Sequence, residues 1–349
     1  MGGKEQGFVQ DAFDGNWIAP VGPNLNQFEK DICRYTAADH CAGLTSGTAA
    51  IHLALNILGV NQGDYVIVQS FTFCGSANPV IYSGATPVFI DSERLTWNMC
   101  PKALRESLED LDKKGLIDKV KAIIPVHLYG MPAKMDQISF IASNYGIPIV
   151  EDAAESIGSS IRNQQTGTFG EMGVYSFNGN KIITTGGGGM LLTDDDQLAK
   201  RAKHITTTAK IPHRYEFSHD EIGFNYRLPS LNAALGIAQM EQLPRIIEIK
   251  AQIAARYSSF FDDIGVEMVK PLGNCITNNW LNAIVLKDNK ERNEFLEYTN
   301  ENSLMTRPIW RLMSELKMFQ NCQNDGLKNS KWLEERVVNL PSSVPNWFK

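Results

Sequence analysis

The sequence has few of the features that mark whole classes of protein. None of its six cysteines forms a C-x-x-C pair and their gaps match no zinc pattern, so we expect reduced thiols and no metal site. The net charge is -6 at pH 7, which argues against the basic footprint of nucleic-acid binding. No apolar run approaches the about 20 residues of a membrane span, and the N-terminus does not resemble a signal peptide. These absences predict a cytoplasmic protein whose partners include neither membrane nor nucleic acid.

Two common phosphate-binding motifs are also missing. The P-loop needs G-K-[ST], which occurs nowhere, and no strand–G-x-G-x-x-G–helix unit is present. What is present is S-F-N-G-N-K-I-I-T-T-G-G-G-G-M, in which Lys181 precedes the four glycines Gly186–Gly189. Its apolar neighbours include Phe177 and Ile182, and an amine in apolar surroundings suits a nucleophile. The meaning of this stretch depends on the rest of the chain.

Short apolar runs alternate with helical patterns from residue 41 to about 210. The 349 residues suit one large domain and a smaller one. The runs predict strands that are covered by helices on both faces, hence an α/β fold with a mostly parallel central sheet. The predicted strands are one near 41–45, Tyr65–Val68, Pro87–Ile90, Ala122–Val126 and Ile147–Val150, and the predicted helices are Thr48–Leu58, Pro101–Leu111 and Lys134–Asn144.

The pattern changes after a long predicted helix at about 229–263. A strand at Trp280–Leu286, a charged helix at about 289–301 and the short segment Met305–Trp310 predict a smaller α/β domain. The first 40 residues predict an arm and one helix. We therefore expect a large domain at 1–245, including the N-terminal arm, and a small C-terminal domain at 246–349.

Polar residues follow the predicted strands, where ligands bind in such sheets. The candidates are Gly47 and Thr48 at a helix N-terminus, Phe73, His127, Asp152 and Glu155, Ser176, and Lys181. Each has a structural explanation when taken singly: a helix cap, a core aromatic, an interior histidine or a surface lysine. The combination is what indicates function.

Together these residues meet the needs of one cofactor. Pyridoxal phosphate requires an amine for its aldehyde, a carboxylate for its ring nitrogen, a flat apolar partner and an anion cradle. Lys181, Asp152 and Phe73 supply the first three. Gly47 and Thr48, with Ser176, supply the cradle, since amides at a helix N-terminus bind anions.

The motifs resemble one family. They include L-T-S-G-T-A-A-I-H-L-A-L, H-L-Y-G, V-E-D-A-A-E-S-I-G, G-V-Y-S-F-N-G-N-K-I-I-T-T-G-G-G-G-M and G-F-N-Y-R-L-P-S-L-N-A-A-L-G-I-A-Q-M-E. In this order they resemble the DegT/DnrJ/EryC1/StrS sugar aminotransferases. The shorter pieces N-W-I-A-P-V-G, T-R-P-I-W and L-P-S-S look most like the bacillosamine-pathway 4-aminotransferases.

The resemblance implies an aspartate aminotransferase-like enzyme of fold type I, working as a homodimer with shared active sites. By position, Lys181 would form the Schiff base with pyridoxal phosphate, Asp152 would pair with the pyridine nitrogen and Glu155 would lie near the ring hydroxyl. Phe73 would stack on the ring, and Asn225 would reach the partner's phosphate. Pyridoxamine phosphate would be the intermediate form of the cofactor.

The resemblance also implies substrates. L-glutamate would donate its amino group to C4 of UDP-2-acetamido-2,6-dideoxy-xylo-hexos-4-ulose, giving UDP-4-amino-4,6-dideoxy-N-acetylglucosamine. Segments matched to sugar-nucleotide contacts are Asn16, Trp17, Ile18 and Ala19, together with His127, Thr306, Arg307, Pro308, Ile309 and Trp310.

Three other interpretations stay open. A dehydratase on the same scaffold would carry histidine in place of Lys181, which disfavours it. Synthesis of GDP-perosamine or of a dTDP-amino sugar differs only in the nucleotide and the sugar, which the sequence separates poorly. A non-catalytic regulatory relative that binds the cofactor is disfavoured by the intact Lys181, Asp152 and Glu155 and by the lack of a helix-turn-helix extension.

Overall fold

The computed structural model describes residues 1–345. The helices in this range are α1 (Glu5–Asp14), α2 (Pro23–Thr36), α3 (Gly47–Ile57), α4 (Cys74–Tyr82), α5 (Pro101–Lys113), α6 (Met135–Tyr145), α7 (Asp196–Thr206), α8 (Ser230–Asp263), α9 (Asn289–Glu301) and α10 (Lys328–Glu334). The strands are β1 (His40–Leu44), β2 (Tyr65–Gln69), β3 (Thr86–Ile90), β4 (Val120–Ile124), β5 (Val150–Asp152), β6 (Ser160–Ile161), β7 (Gln164–Gln165), β8 (Met172–Ser176), β9 (Gly189–Thr193), β10 (Glu267–Met268), β11 (Cys275–Ile276), β12 (Asn282–Val285), β13 (Arg307–Pro308) and β14 (Val337–Leu340).

Within residues 1–345, seven strands form the central sheet, in the order β3-β2-β4-β5-β8-β9-β1. The two halves of this sheet meet where β4 and β5 share parallel bridges at Ile123–Ile149 and Val126–Asp152. Neighbouring strands run parallel except at β9, which is antiparallel to β8 and β1. The predicted mostly parallel sheet is confirmed.

The sheet is apolar because helices cover both of its faces. The last four residues of β2 and all five of β9 are buried. The sheet residues divide between separate apolar cores: Val66 and Val68 pack with the α3 side, while Ile67 packs with α5 and α6. This alternation follows from the two-residue period of a strand.

Several predicted boundaries need correction. The strand expected at Ile147–Val150 lies at Val150–Asp152, since Pro148 has no N–H to donate to a neighbouring strand. The strand expected at Ala122–Val126 begins two residues earlier, and that at Trp280–Leu286 is confined to Asn282–Val285. The N-terminal region contains two helices, α1 and α2, rather than one.

A second sheet occupies the C-terminal part of the chain. Its strands are antiparallel throughout, in the order β10-β12-β14-β13, and α9 packs beside it. The predicted boundary at 245/246 falls within α8, next to Pro244, because α8 is one continuous helix from the central unit to this sheet. The division into 1–245 and 246–349 stays a prediction, and residues 346–349 lie outside the described residues.

Candidate active site

The loop that carries Lys181 begins and ends at one edge of the central sheet. It leaves β8 at Ser176 and returns at Gly189, and these two residues are paired across the strands. The carboxyl ends of β1, β4 and β5 reach the same edge, since those strands run parallel to β8 or antiparallel to β9. The predicted gathering of polar residues at this edge is therefore built by the topology.

The glycines after Lys181 let β9 pass directly against the start of α3. A side-chain carbon on Gly189 would lie 2.4 Å from the carbonyl carbon and oxygen of Ser46 and 2.6 Å from the amide nitrogen of Gly47. Ser46 caps α3 by accepting the Ala49 N–H at 3.0 Å. The result is a helix N-terminus with its amides facing the cleft, a ready anion site.

The amine of Lys181 lies between an acid and an aromatic ring. Its Nζ donates to Glu155 Oε1 at 3.3 Å and lies 4.0 Å from the ring centroid of Trp280. Glu155 also accepts the Tyr129 N–H at 2.8 Å. Burial raises the pKa of Glu155, and the Lys181 charge and the Tyr129 N–H oppose that rise. Glu155 thus holds a proton more readily than a surface glutamate does.

Asp152 ends β5 and is oriented by a chain of hydroxyl groups. Ser76 Oγ donates to Asp152 Oδ2, and Thr72 Oγ1 lies 2.6 Å from Ser76 Oγ. Because the single Ser76 proton goes to Asp152, the Thr72 hydroxyl must be the donor to Ser76. The Ala154 N–H occupies Asp152 Oδ1 at 3.1 Å. These donors hold the carboxylate in place at the wall of the cleft, where its oxygens can accept a further hydrogen bond.

An exposed aromatic ring faces the same cleft. Phe73 is 54% exposed although its neighbours Phe71 and Thr72 are buried, and its ring lies 6.0 Å from that of Trp310. The cleft holds about 350 Å³ and is lined by Ser46, Gly47, Thr48, Phe73, Ser76, Asp152, Glu155, Ser176, Asn178, Lys181, Trp280 and Trp310, among others. The amine, the carboxylate, the uncovered flat ring and the helix N-terminus fit a pyridine ring with one phosphate, and the volume suffices.

Comparisons with known proteins show the family of this chain. The model of the DegT/DnrJ/EryC1/StrS aminotransferase family matches residues 1–345. The chain belongs to this family. It is 42% identical over 320 residues to EpsN of Bacillus subtilis, which is named as a pyridoxal phosphate-dependent aminotransferase; the match covers 91% of this chain and 82% of EpsN. It is 36% identical over 341 residues to the GDP-perosamine synthase of Escherichia coli O157:H7, covering 97% and 90% of the two chains.

Solved structures of the same family share this fold. The crystal structure of a DegT/DnrJ/EryC1/StrS aminotransferase from Brucella abortus superposes with a TM-score of 0.91 at 27% identity, covering 97% of this chain and 90% of that one. The chain therefore has the fold type I of the DegT family and is a sugar aminotransferase with pyridoxal phosphate as cofactor. Within residues 1–345, no helix is long and apolar enough to cross a membrane.

His127, which was predicted to contact the substrate, does not line the cleft. His127 is fully buried, and both of its ring nitrogens are occupied. The Ala133 N–H donates to Nδ1 at 3.0 Å, so Nε2 carries the proton and donates to Glu151 Oε2 at 2.8 Å. The prediction that His127 contacts the substrate is contrary to this geometry. The pair instead fixes the turn that carries Tyr129.

The other residues predicted to bind the substrate do not all line the cleft. Trp310 lines the cleft, but Thr306 and Ile309 are buried, with the Thr306 hydroxyl 2.6 Å from that of Thr299. Arg307 and Pro308 are exposed on β13. The exposed residues Asn16, Trp17, Ile18 and Ala19 do not line this cleft, nor does Asn225, which is exposed and bridged to Thr207. Within one chain, these residues are not gathered around Lys181.

Three contributors were missed by sequence reasoning. Ser76 lies one helical turn beyond Phe73, so the segment S-F-T-F-C-G-S held a usable signal for it and for Thr72. Trp280 had no local signal, since it reaches the Lys181 loop from a hundred residues away, where its indole N–H donates to the Asn180 carbonyl at 2.7 Å.

The contact at Gly189 gives a first prediction. In Gly189→Ala the new carbon would overlap backbone atoms, so Ser46 and Gly47 must move and the anion site is distorted. We expect the Kd for pyridoxal phosphate to rise about tenfold or more, the effect of a roughly 1.4 kcal/mol overpacking cost. Gly187→Ala is the matched control, because nothing lies within 4 Å of its added carbon. Equilibrium dialysis measures both, and equal affinity in the two variants would contradict the explanation.

Proposed function

We propose that this enzyme transfers the amino group of L-glutamate to C4 of a nucleotide-linked 4-keto-6-deoxy sugar. The proposed sugar is UDP-2-acetamido-2,6-dideoxy-xylo-hexos-4-ulose, and the product is UDP-4-amino-4,6-dideoxy-N-acetylglucosamine. The observation that carries the proposal is the convergence of Lys181, Glu155, Asp152 and Phe73 beside the α3 N-terminus, in a chain of an aminotransferase family.

Each residue has a role that its contacts support. Bound pyridoxal phosphate supplies an aldehyde carbon for the amino group and a ring that accepts the electron pair left by a departing proton. Asp152, held by Ser76, would accept the hydrogen bond of the ring N–H and keep that nitrogen protonated. Phe73 would cover one face of the ring, and Gly47, Thr48 and Ser176 would bind its phosphate.

Lys181 and Glu155 would handle protons. The Lys181 amine would hold the cofactor between turnovers and then remove the proton from the amino-acid Cα. The same amine would return a proton to C4 of the sugar in the second half of the reaction. Glu155 is adjacent at 3.3 Å, and its raised pKa lets it share a proton with the ring hydroxyl.

The identity of the sugar nucleotide has two candidates. The segments N-W-I-A-P-V-G, T-R-P-I-W and L-P-S-S support the UDP-linked acetamido sugar through their resemblance to bacillosamine-pathway enzymes. Relatives named GDP-perosamine synthase, 30–36% identical to this chain, support a GDP-linked 4-keto-6-deoxy sugar instead. Amino transfer to C4 would be the same reaction for both substrates, which differ in the nucleotide and in the rest of the sugar.

A second copy would complete the site. Asn225 lies in a segment whose apolar side chains are uncovered: Tyr215, Phe217 and Ile222 are 75%, 79% and 87% exposed. Apolar exposure of this kind is typical of an interface. We therefore propose a homodimer in which Asn225 reaches the partner's phosphate site.

The test is a parallel assay of the purified holoenzyme with L-glutamate and UDP-, GDP- or dTDP-linked 4-keto-6-deoxy sugars. Mass spectrometry follows the mass change when a keto oxygen is replaced by an amino group, and light scattering gives the mass of the same sample. We expect the UDP-linked product from a dimer. Product from the GDP sugar alone would replace the proposed substrate with the second candidate. A holoenzyme that aminates none of the three would contradict the proposed reaction.

A further inference from the structure

Hydrogen bonds connect Trp280 to the two segments that carry Lys181 and Glu155. Its indole N–H donates to the carbonyl of Asn180, the residue before Lys181, at 2.7 Å. Its backbone N–H donates to Asn278 Oδ1 at 2.9 Å, and Asn278 in turn donates to the Glu155 carbonyl at 2.8 Å. At 4% exposure the side chain has little freedom. The ring face presented to the Lys181 amine is therefore held in place by the segments of Lys181 and of Glu155.

A ring and a carboxylate stabilise an ammonium group in different ways. The face of an indole attracts a cation through its quadrupole, and the attraction is strongest where water is excluded. A neighbouring carboxylate also attracts the cation, but it can take the proton away. The Trp280 face, 4.0 Å from Lys181 Nζ, cannot accept a proton. The ring can therefore attract the Lys181 ammonium without competing for its proton.

The proposed reaction needs a site in the cleft that holds the protonated Lys181 amine. Lys181 must leave the cofactor when the amino donor arrives, take up a proton and give it back while remaining near the reacting carbon. The Lys181 amine contacts both Trp280 and Glu155 inside the cleft, with only 12% of its side chain exposed. An amine that turned out to solvent would exchange its proton with water and would lie away from the reacting carbon.

We propose that Trp280 is a positioning residue that holds the protonated Lys181 amine in the cleft while the lysine is detached from the cofactor. The inference rests on the proposed role of Lys181. It assigns Trp280 to the proton-transfer steps and not to the affinity for either substrate.

The direct test uses cofactor-free protein, so it does not depend on turnover. Acetic anhydride acetylates only neutral amines, and peptide mass spectrometry compares Lys181 with Lys102, whose side chain is 83% exposed, in the same sample. For Trp280→Leu at pH 7 we expect Lys181 to be labelled about fivefold faster than in the unmodified protein, because the ammonium form is less favoured. Trp280→Phe, which keeps a smaller ring face, should fall between the two.

A second pH separates protonation from access. At pH 11 most lysines are neutral, so the advantage of Trp280→Leu should shrink to about twofold or less if the ring acts on the ammonium form. A gain of the same size at pH 7 and pH 11 would mean that Trp280 only shields the amine and would overturn the proposal. Trp332→Leu is the matched control, since Trp332 lies under Arg94 and Arg336, outside the cleft lining, and should leave Lys181 labelling unchanged.

Kinetics of the holoenzyme supply a second readout. Trp280→Leu should lower kcat while the KM for L-glutamate stays within about twofold, the pattern of an interaction lost in the chemical step. An unchanged kcat with a raised KM would overturn the positioning role and indicate substrate binding. If borohydride reduction attaches the cofactor to a lysine other than Lys181, the proposed function fails, whereas the labelling comparison still measures what Trp280 does to the Lys181 amine.

Discussion

Lys181→Ala should abolish amino transfer. We expect kcat to fall by about 10³-fold or more, because the variant loses both the amine that would bind the cofactor and the group that would move the proton. Lys181→Arg should be equally inactive: a guanidinium keeps the charge and can lie on Trp280, but it stays protonated and cannot act as a nucleophile. Product formation, followed by mass spectrometry, measures both variants.

The control for this result is a lysine outside the site. Lys102→Ala removes an exposed lysine on α5 and should leave kcat unchanged. Borohydride reduction of the unmodified holoenzyme should place the cofactor mass on the peptide that contains Lys181. Near-normal turnover by Lys181→Ala would remove the lysine from the mechanism and with it the proposed function.

Asp152→Asn should cost most of the rate while the fold is retained. The asparagine carbonyl can still accept from Ser76 or Ala154, so we expect little change in Tm. Loss of the negative charge next to the ring nitrogen removes electrostatic stabilisation, which typically lowers kcat by about 10²–10³-fold. The absorbance spectrum of the bound cofactor should change in parallel, since its ring nitrogen would lose the proton.

Asp136→Asn provides the comparison for this charge change. Asp136 pairs with Arg162 at the surface, and its side chain is 54% exposed, so removing its charge should alter neither spectrum nor rate. Asp152→Asn with unchanged kcat and spectrum would show that the ring nitrogen does not depend on this carboxylate.

Much of the site follows from strand ends, and the exceptions have a physical reason. Asp152 and Glu151 are consecutive on β5 and therefore point to opposite faces of the sheet. Asp152 faces the cleft, while Glu151 faces away and accepts hydrogen bonds from His127 and from the Gly167 N–H. The sequence shows that His127 follows a strand, but not which face its ring turns to. That choice depends on pairing with a distant segment.

The same limit applies to the sheet and to the aromatic wall. Apolar runs predicted β2 and β3 to within a residue at each end, because both faces of these strands are buried. The reversed direction of β9 has no local signature and emerges only when its pairing with β8 and β1 is known. Trp280 likewise depends on how the C-terminal part of the chain packs against the Lys181 loop.

The Lys181 loop is closed at its base, and this has a consequence for reactivity. The Phe177 N–H donates to the Gly188 carbonyl at 2.8 Å, and the Thr185 N–H donates back to the Phe177 carbonyl at 3.0 Å. Together with the hydrogen bond from the Trp280 indole to the Asn180 carbonyl, these bonds limit how far the amine can move from the cleft. Groups confined in this way react as though present at effective molarities of about 10⁵ M or more, far above what a dissolved amine can reach. The loop thus keeps one functional group at a high effective concentration. The entropic cost of holding it there is met when the chain folds.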